Sequence, residues 1–166
     1  MQDFDVQLSG STVVMLFFEG TKLICANSGD SRCIKVAVFA DAENEDNYLI
    51  EAEQLSFDHK PELKEEAQRI IKWGGRVDSF RDAYNDNEPI GPLRVWLKEQ
   101  ELPGLAMTRS LGDGVAHTVG VTAEPEVLEF LVGPNDKFVI IASDGLWEFI
   151  SNEEVAEVVM PFYLQN

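Results

Sequence analysis

Short apolar segments separated by polar turns dominate the first third of the chain. Each segment is rich in β-branched and aromatic residues, and the turns between them contain glycine, asparagine or aspartate. An acidic stretch, residues 41–47, precedes the last of these segments. Consecutive short strands joined by tight turns are typical of an antiparallel sheet. The predicted strands cover residues 12–18, 22–26, 33–39 and 48–55.

Two later segments carry the pattern of an amphipathic helix. Pro61 opens the first, which has glutamates near its N-terminal end and apolar residues at helical spacing along one face. The glycine pair Gly74 and Gly75 ends it. The second helix is predicted to start at Ser151, where the sequence Ser-Asn-Glu-Glu forms a capping box.

The remaining segments predict further strands and one irregular stretch. Two short strands are expected at residues 119–121 and 127–131. Residues 138–142 are uniformly apolar, which predicts a strand in the middle of a sheet that is covered on both faces. No period persists over residues 78–103, so we expect a long loop there, and long loops in compact domains are often functional. The predicted class is α+β, with layered, mainly antiparallel sheets flanked by helices.

The charge balance narrows the range of partners. The chain has 166 residues, the length of one domain. Its 30 acidic residues outnumber its 13 basic residues, and the net charge is −17. Such a negative field repels nucleic-acid phosphates and anionic membranes, so we expect neither as a partner. Divalent cations and basic segments of other proteins are compatible with it, as is an acidic surface that serves only solubility.

Cysteine use and the terminal sequence indicate the compartment. No stretch is apolar and long enough to cross a bilayer, and the N-terminal residues do not resemble a signal peptide. Cys25 and Cys33 lie on either side of a predicted turn and lack the spacing of a zinc site. A disulfide between them stays open on geometry, but we expect two free, half-buried thiols in a reducing compartment. These features together predict a cytoplasmic or nuclear location.

Three aspartates share one local pattern, in which a glycine-containing turn adjoins a strand or apolar segment. They are Asp30, Asp113 and Asp144. Glycine lets the backbone approach a ligand closely, and the short aspartate side chain keeps its oxygens near the backbone. Aspartates that converge would repel one another unless a cation lay between them, and oxygen ligands favour Mg²⁺, Mn²⁺ or Ca²⁺. Independent solvated turns fit the same pattern, which does not decide between the two interpretations.

Seven ordered sequence blocks resemble the metal-dependent serine/threonine protein phosphatases of the type 2C family. They are spread over nearly the whole chain and include all three aspartates. The resemblance implies two packed, mainly antiparallel sheets flanked by helices, with a metal cluster at one end of the sandwich. The blocks are GSTVV (10–14), ANSGDSR (26–32), FDHKP (57–61), RIIKWGGRV (69–77), GLAMTRSLGD (104–113), EPEV (124–127) and FVIIASDGLWEFI (138–150).

The resemblance also implies a metal site and a reaction. Asp113 and Asp144 match two carboxylates that hold a metal pair in the family, and Asp30 matches a residue associated with an additional, weaker metal. The cofactors would be two or more Mg²⁺ or Mn²⁺ ions, which activate a water to hydrolyse phosphoserine or phosphothreonine in phosphoprotein substrates. No side chain would act as the nucleophile. A simple calcium binder fits the blocks less well, and the chain has no EF-hand loop.

Other conspicuous residues have structural interpretations. His59 is expected to pack within its turn, and Arg32 and Arg109 are expected to form ion pairs within the fold. The three tryptophans are expected to anchor the core or loops. Residues 78–103 fall where the family carries a variable flap beside the active site, and we hypothesise that this flap selects substrates.

Part of the family pattern has no match in the chain. The Asp-Gly-His motif, a phosphate-binding arginine and a C-terminal Asp-Asn motif do not occur. Residues 1–166 are therefore interpreted as an incomplete phosphatase domain that lacks the N-terminal metal motif and the C-terminal strand. On this interpretation the chain alone binds metal weakly and has little or no activity. The alternative is a phosphatase-like binding or regulatory module without catalysis; the three retained aspartates favour the first interpretation.

Overall fold

The computed structural model describes residues 5–40, 48–82 and 88–165 of the protein. Eleven strands and four helices lie within them. The strands are β1 (Gly10–Ser11), β2 (Val13–Glu19), β3 (Lys22–Ser28), β4 (Arg32–Ala40), β5 (Tyr48–Gln54), β6 (Gly75–Arg81), β7 (Pro89–Leu97), β8 (Pro103–Leu105), β9 (Leu111–Gly112), β10 (Glu126–Leu131) and β11 (Asp136–Ala142). The helices are α1 (Lys64–Lys72), α2 (Gly114–His117), α3 (Asp144–Trp147) and α4 (Asn152–Leu164). Within the described ranges, no helix has the length and apolar character needed to span a bilayer.

The chain divides into two compact units. Unit 1 comprises the described residues of Met1–Val13, Ser28–Asp30 and Asp58–Pro125. Unit 2 comprises those of Val14–Asn27, Ser31–Phe57 and Glu126–Asn166. Two of the three aspartates singled out above, Asp30 and Asp113, therefore belong to unit 1, and Asp144 belongs to unit 2.

Unit 2 is a layered structure of two three-stranded sheets and two helices. One sheet has the strand order β10-β3-β2, and the other has the order β11-β4-β5. The buried side chains between the sheets include Leu23, Cys25, Cys33 and Leu55. On the other face of the second sheet, side chains of β4 pack against residues of α3 and α4. The predicted class of layered, antiparallel sheets flanked by helices is confirmed in this unit.

Unit 1 packs two helices against a third three-stranded sheet. The strand order is β6-β7-β8, and all pairs are antiparallel. Ile70 of α1, Val95 of β7 and Ala116 of α2 meet in its core. A separate two-stranded ribbon joins β1 to β9, with Gly10 opposite Gly112.

Most of the predicted elements in the first third of the chain, and both long helices, are present. The strands β2 to β5 match their predicted ranges closely. Helix α1 begins at Lys64 rather than Pro61, because the prolyl residue opens a turn that precedes the helix. Gly74 follows the helix with a φ of 82°, as a glycine after a helix end should. Ser151 caps α4 with the predicted reciprocal hydrogen bonds to Glu154.

The prediction of an irregular loop at residues 78–103 is wrong, because β6, β7 and β8 occupy most of it. The alternation of side chains in β6 shifts at a bulge between Asp78 and Phe80, and glycine and proline interrupt β7. Both features hide the period-2 signal from the sequence. Residues 83–87 lie outside the described residues. The proposed role of this segment as a substrate-selecting flap stays a prediction.

Three smaller expectations also need correction. Residues 119–121 do not form a strand, although Val119 and Val121 are buried in the core of unit 1. Residues 138–142 belong to β11, which lies at the edge of its three-stranded sheet and is only partly buried; β4 is the central, buried strand. The free thiols of Cys25 and Cys33 are fully rather than half buried. The apolar run of β11 reflects contact with the helices on one face and with the other sheet on the other.

Two tryptophans anchor the core as expected, and the third does not. Trp96 and Trp147 are buried. Trp73 follows the last residue of α1 and is 65% exposed, so it is neither a core residue nor a buried anchor.

Candidate functional site

Asp113 is the most constrained of the three aspartates. It directly follows β9 and has a left-handed backbone with a φ of 47°, the sole positive φ outside glycine among the described residues. Its backbone N–H donates to the carbonyl of Ser9 at 2.8 Å, which ties it to the chain entering β1. The side chain is buried, and its Oδ2 atom has no hydrogen-bond partner among the described residues.

Two glycines form the cradle around this carboxylate. A Cβ atom at position 10 would overlap Oδ2 of Asp113, so the side chain lies directly against the Gly10 backbone. Gly112 has a φ of 83°, and a Cβ there would overlap the Ser9 carbonyl. Gly10 and Gly112 are therefore required, because β1 and β9 approach each other too closely for a larger residue at either position. Sequence order alone could not reveal this contact between distant blocks.

Asp30 is buried, and its charge has an internal partner. The Nζ atom of Lys60 lies 2.5 Å from Oδ2 of Asp30. The preceding residue, Gly29, has a φ of 116° and passes so close to Thr12 that a Cβ would overlap its side chain. The turn therefore fixes the Asp30 backbone, and Lys60 compensates the carboxylate.

His59 belongs to the same turn and behaves as a structural residue. Its Nδ1 atom lies 3.1 Å from both the amide nitrogen and the carbonyl oxygen of Gly29. The ring is buried, and burial lowers the pKa of His59, to which the nearby positive charge of Arg109 adds. Burial therefore favours the neutral imidazole, and the contact with Gly29 supports the structural interpretation of this residue.

Asp144 lies where the sequence predicted, directly after the end of a strand. Strand β11 ends at Ala142, Ser143 is extended, and Asp144 is the first residue of α3. The indole N–H of Trp147 donates to the Ala142 carbonyl at 2.8 Å and stabilises this corner. The guanidinium of Arg32 lies over the Trp147 ring, 5.4 Å from its centre. Asp144 itself is half-buried.

Within either unit, the described residues contain no group of three or more His, Cys, Asp or Glu side chains that could share a metal ion. The metal site predicted for Asp30, Asp113 and Asp144 therefore stays a prediction. Of the three, Asp113 best fits a cation ligand, because its buried carboxylate oxygen lacks a donor and is held against the Gly10 backbone. Asp30 fits less well, because Lys60 already supplies a positive charge.

A buried ion cluster around Glu66 was not predicted from the sequence. Arg69 makes two hydrogen bonds to the Glu66 carboxylate, at 2.8 and 2.6 Å, and Arg109 donates to it at 2.8 Å. The hydroxyl of Thr108 donates to Glu66 at 2.5 Å. Burial raises the pKa of Glu66, but the hydrogen bonds from the two arginines and Thr108 outweigh it and bring the pKa down to about 2. The ion pair expected for Arg109 is thus confirmed, with Glu66 as its partner.

The signal for this cluster was present but ambiguous. A run of glutamates at the start of a helix is equally explained by its favourable interaction with the helix dipole. Only the spacing of Glu66 and Arg69, three residues apart in α1, pointed to a pair. The cluster links α1 to the segment that leads into β9, and so to the chain that carries Asp113.

A family model described as Protein phosphatase 2C matches residues 2–163. The chain belongs to the protein phosphatase 2C family. It is 45% identical to the probable protein phosphatase 2C 12 of Oryza sativa subsp. japonica, covering 95% of this chain and 37% of that protein. It is 40% identical to the probable protein phosphatase 2C 61 of Arabidopsis thaliana, covering 94% of this chain and 44% of that protein. The chain thus spans less than half the length of these curated relatives.

Solved structures resemble the chain over most of its length. A serine-threonine phosphatase 2C from Toxoplasma gondii superposes with a TM-score of 0.73 at 23% identity, covering 92% of this chain and 46% of that one. A sex determining protein of C. elegans superposes with a TM-score of 0.66 at 26% identity, covering 92% of this chain and 31% of that one. The first likeness concerns the fold alone, and it confirms the fold that the sequence blocks implied.

Proposed function

We propose that the chain forms part of a phosphatase domain that hydrolyses phosphoserine and phosphothreonine in proteins with the help of Mg²⁺ or Mn²⁺. The observation that carries this proposal is the carboxylate of Asp113, whose Oδ2 is buried against Gly10 without a partner among the described residues. A buried carboxylate oxygen without a donor is unfavourable unless a cation compensates it. Membership of the protein phosphatase 2C family supports the same reaction class.

Each aspartate would contribute differently to holding the cations. Asp113 is fixed by its left-handed backbone and by the Gly10 contact, so its oxygens need little reorganisation. Asp144 is half-buried at the start of α3, in a corner that Trp147 stabilises. At Asp30, a cation has to compete with the ammonium group of Lys60, which supports a weaker site there.

Divalent cations, when bound, activate a water molecule and stabilise the negative charge that develops on a phosphate ester. The contribution of the other residues of unit 1 in this proposal is to hold Asp113 in place. Glu66 fixes Thr108 and Arg109, which precede β9, and β9 leads directly into Asp113. Glu66 is therefore a positioning residue in this proposal, because it acts on Asp113 through the backbone.

The experiment that tests the proposal measures Mn²⁺ binding and activity separately on the 166-residue chain. Mn²⁺ affinity is measured by the relaxation of water protons, and activity by turnover of p-nitrophenyl phosphate. Asp113→Asn keeps the size of the side chain but removes the charge, and we expect it to weaken Mn²⁺ binding about tenfold or more. We expect little or no turnover by the chain alone, because the Asp-Gly-His metal motif of the family pattern has no match in it.

Glu157→Gln is the matched control, because it removes one negative charge from an exposed position of α4. It should leave Mn²⁺ affinity unchanged. Equal affinities of the Asp113→Asn variant and the unsubstituted chain would contradict the metal assignment and favour the alternative of a phosphatase-like binding module. Turnover comparable with that of an intact family enzyme would contradict the expected weak activity but not the reaction class.

A further inference from the structure

Unit 1 contains a cavity of about 530 Å³ that the proposed phosphatase site does not use. Its volume lies in the range of small-molecule binding sites. None of the aspartates of the predicted metal site lines it. The lining residues that matter for its chemistry are Arg69, Trp73, Arg109, His117, Thr122 and Glu124.

The guanidinium groups of Arg69 and Arg109 line this cavity, and not all of their N–H groups are used in hydrogen bonds among the described residues. A guanidinium carries five N–H groups. Arg69 uses four of them, and Arg109 uses three. One N–H of Arg69 and two of Arg109 therefore have no acceptor among the described residues. An anion in the cavity would supply those acceptors.

The charge of the cluster is positive although the chain as a whole is strongly negative. Glu66 contributes one negative charge against the two positive charges of Arg69 and Arg109. The glutamate is buried, and its pKa of about 2 keeps it ionised, so it holds both guanidinium groups in place. The arginine side chains remain 25% and 18% exposed. The cluster of Glu66, Arg69 and Arg109 is therefore preorganised and carries one net positive charge, which the exposed Glu124 carboxylate among the lining residues partly offsets.

An aromatic wall stands beside these donors. The exposed side chain of Trp73 lines the cavity next to Gly120. Gly120 has a φ of 95°, and a Cβ at this position would lie only 3.0 Å from the Cβ of Trp73. Glycine there leaves the tryptophan room to lie along the cavity wall. Its indole ring offers an apolar face on which a planar group can stack.

We propose that this cavity binds a phosphate or carboxylate group attached to an aromatic ring. The anion would accept hydrogen bonds from Arg69 and Arg109, and the ring would lie against Trp73. Glu124 is the one acidic residue among those that line the cavity, and its exposed carboxylate, the rim charge of the site, would repel an anion. Free small molecules and modified side chains of a polypeptide share this chemistry. The site does not depend on bound metal or on phosphatase activity.

The probe for this proposal is phenylphosphonate, whose carbon–phosphorus bond a phosphatase does not hydrolyse. Titration of the isotopically labelled 166-residue chain should produce a saturable shift of the Trp73 indole N–H resonance in the NMR spectrum. The resonances of Trp96 and Trp147, which are buried and do not line the cavity, should stay in place. Inorganic phosphate should bind more weakly because it has no ring to stack on Trp73. Benzyl alcohol should not bind because it has no negative charge.

A second arm distinguishes the two sources of ligand. It uses a peptide that carries phosphonomethyl-phenylalanine, a non-hydrolysable side chain with the same ring and anion. Tighter binding of the peptide supports a polypeptide ligand, and tighter binding of free phenylphosphonate supports a small molecule. Both results support the site itself.

Four variants test the roles of the lining residues. Thr122→Glu adds a carboxylate to the cavity and should weaken phenylphosphonate binding about tenfold. Thr118→Glu, its matched control, adds the same charge at an exposed position outside the lining and should have little effect. Glu124→Gln should tighten binding about twofold to fivefold by removing the rim charge. Trp73→Ala is followed by the backbone N–H resonance of Gly120, which also lines the cavity, because the indole reporter is absent. It should weaken phenylphosphonate binding about threefold or more but leave inorganic phosphate binding unaffected.

Two results would overturn the proposal. One is the absence of a saturable shift at Trp73 with millimolar phenylphosphonate. The other is an equal loss of affinity in Thr122→Glu and Thr118→Glu, which would attribute the effect to overall charge. If Thr122→Glu does not fold, Trp73→Ala decides, since this exposed side chain can be removed without opening the core. In that case, unchanged phenylphosphonate affinity in Trp73→Ala replaces the comparison of the two glutamate variants as the second overturning result.

Discussion

At the scale of single residues, charge compensation separates the acidic side chains into two kinds. Asp30 and Glu66 are buried beside basic partners, and their charges are neutralised inside the fold. Asp113 is buried with one oxygen that lacks a partner among the described residues. Uncompensated charge in a protein interior is costly and is usually kept for a ligand or for catalysis. Asp30 and Glu66 are therefore compensated by basic side chains of the fold, whereas Asp113 has an oxygen that a cation could compensate.

Glu66 provides the clearest residue-scale prediction. We expect Glu66→Gln to lower the free energy of unfolding by about 2 kcal/mol or more, because it leaves two partly buried arginines without their counter-charge. Glu65→Gln is the matched control, since Glu65 is the exposed neighbour on the same helix and should change stability little. Urea unfolding monitored by circular dichroism measures both.

The pH dependence of the same variant follows from the direction of the pKa shift. The folded pKa of Glu66 is depressed from 4.5 to about 2, so its contribution to stability is fully present above pH 4.5. As the pH falls from 4.5 toward 2, the unfolded chain binds a proton at this carboxylate while the folded chain does not, so the contribution to stability is progressively lost. The difference in unfolding free energy between Glu66→Gln and the unsubstituted chain should shrink over that interval. A difference that is constant with pH would contradict the role of the charge.

At the scale of secondary structure elements, helices α3 and α4 differ in the capping of their first turns. Ser151 accepts a hydrogen bond from the Glu154 backbone at 3.2 Å, and the Glu154 side chain accepts one from the Ser151 backbone at 2.8 Å. Ser143 stands before α3 but makes no side-chain capping bond. Both serines directly precede the first residue of a helix, but only Ser151 makes the capping interaction.

This pair permits a controlled measurement of the cap. We expect Ser151→Ala to lower the free energy of unfolding by about 1 kcal/mol, because a backbone N–H at the start of α4 loses its acceptor. Ser143→Ala should change it by much less, since no cap is removed. Thermal and urea unfolding of both variants test the expectation, and equal losses would show that the capping box contributes nothing specific.

The elements also show what could be predicted from the sequence and why. Local signals, such as the capping box at Ser151 and the glycine after α1, identified both long helices. The bulge in β6 and the glycine in β7 interrupt the two-residue alternation of side chains in residues 78–103. The sequence pattern therefore did not predict the sheet there. Helices α2 and α3 are single turns, too short to show a helical period.

The residues of the candidate site were predictable from local turns, but the contacts between distant segments were not. The Asp-Gly turns marked Asp30, Asp113 and Asp144 as local features, and family resemblance linked them. The contact of Asp113 with Gly10 joins segments about a hundred residues apart, as the β1–β9 pairing does. Contacts of this kind leave no local signature. The cavity beside Trp73 was missed because an exposed tryptophan and an ion-paired arginine each have an ordinary structural explanation.

At the scale of the whole molecule, the net charge of −17 makes any cation stabilising to some degree. Repulsion among surface carboxylates weakens the folded state, and dissolved salt screens it without requiring a specific site. A metal that binds only the folded chain stabilises it further by mass action. The two effects are separable, because screening depends on ionic strength, whereas binding depends on the identity of the cation and on its ligands.

The last prediction uses this difference. At equal ionic strength, MgCl₂ should raise the thermal unfolding midpoint above that in NaCl by about 2 °C or more, which corresponds to about 1 kcal/mol for a chain of this size. Asp113→Asn should abolish the difference between the salts while preserving the general effect of screening. Glu157→Gln, which removes one surface charge on α4, should preserve the difference. Equal midpoints in the two salts for the unsubstituted chain would mean that its carboxylates act only as a diffuse field, and Asp113 would lose its place as a metal ligand.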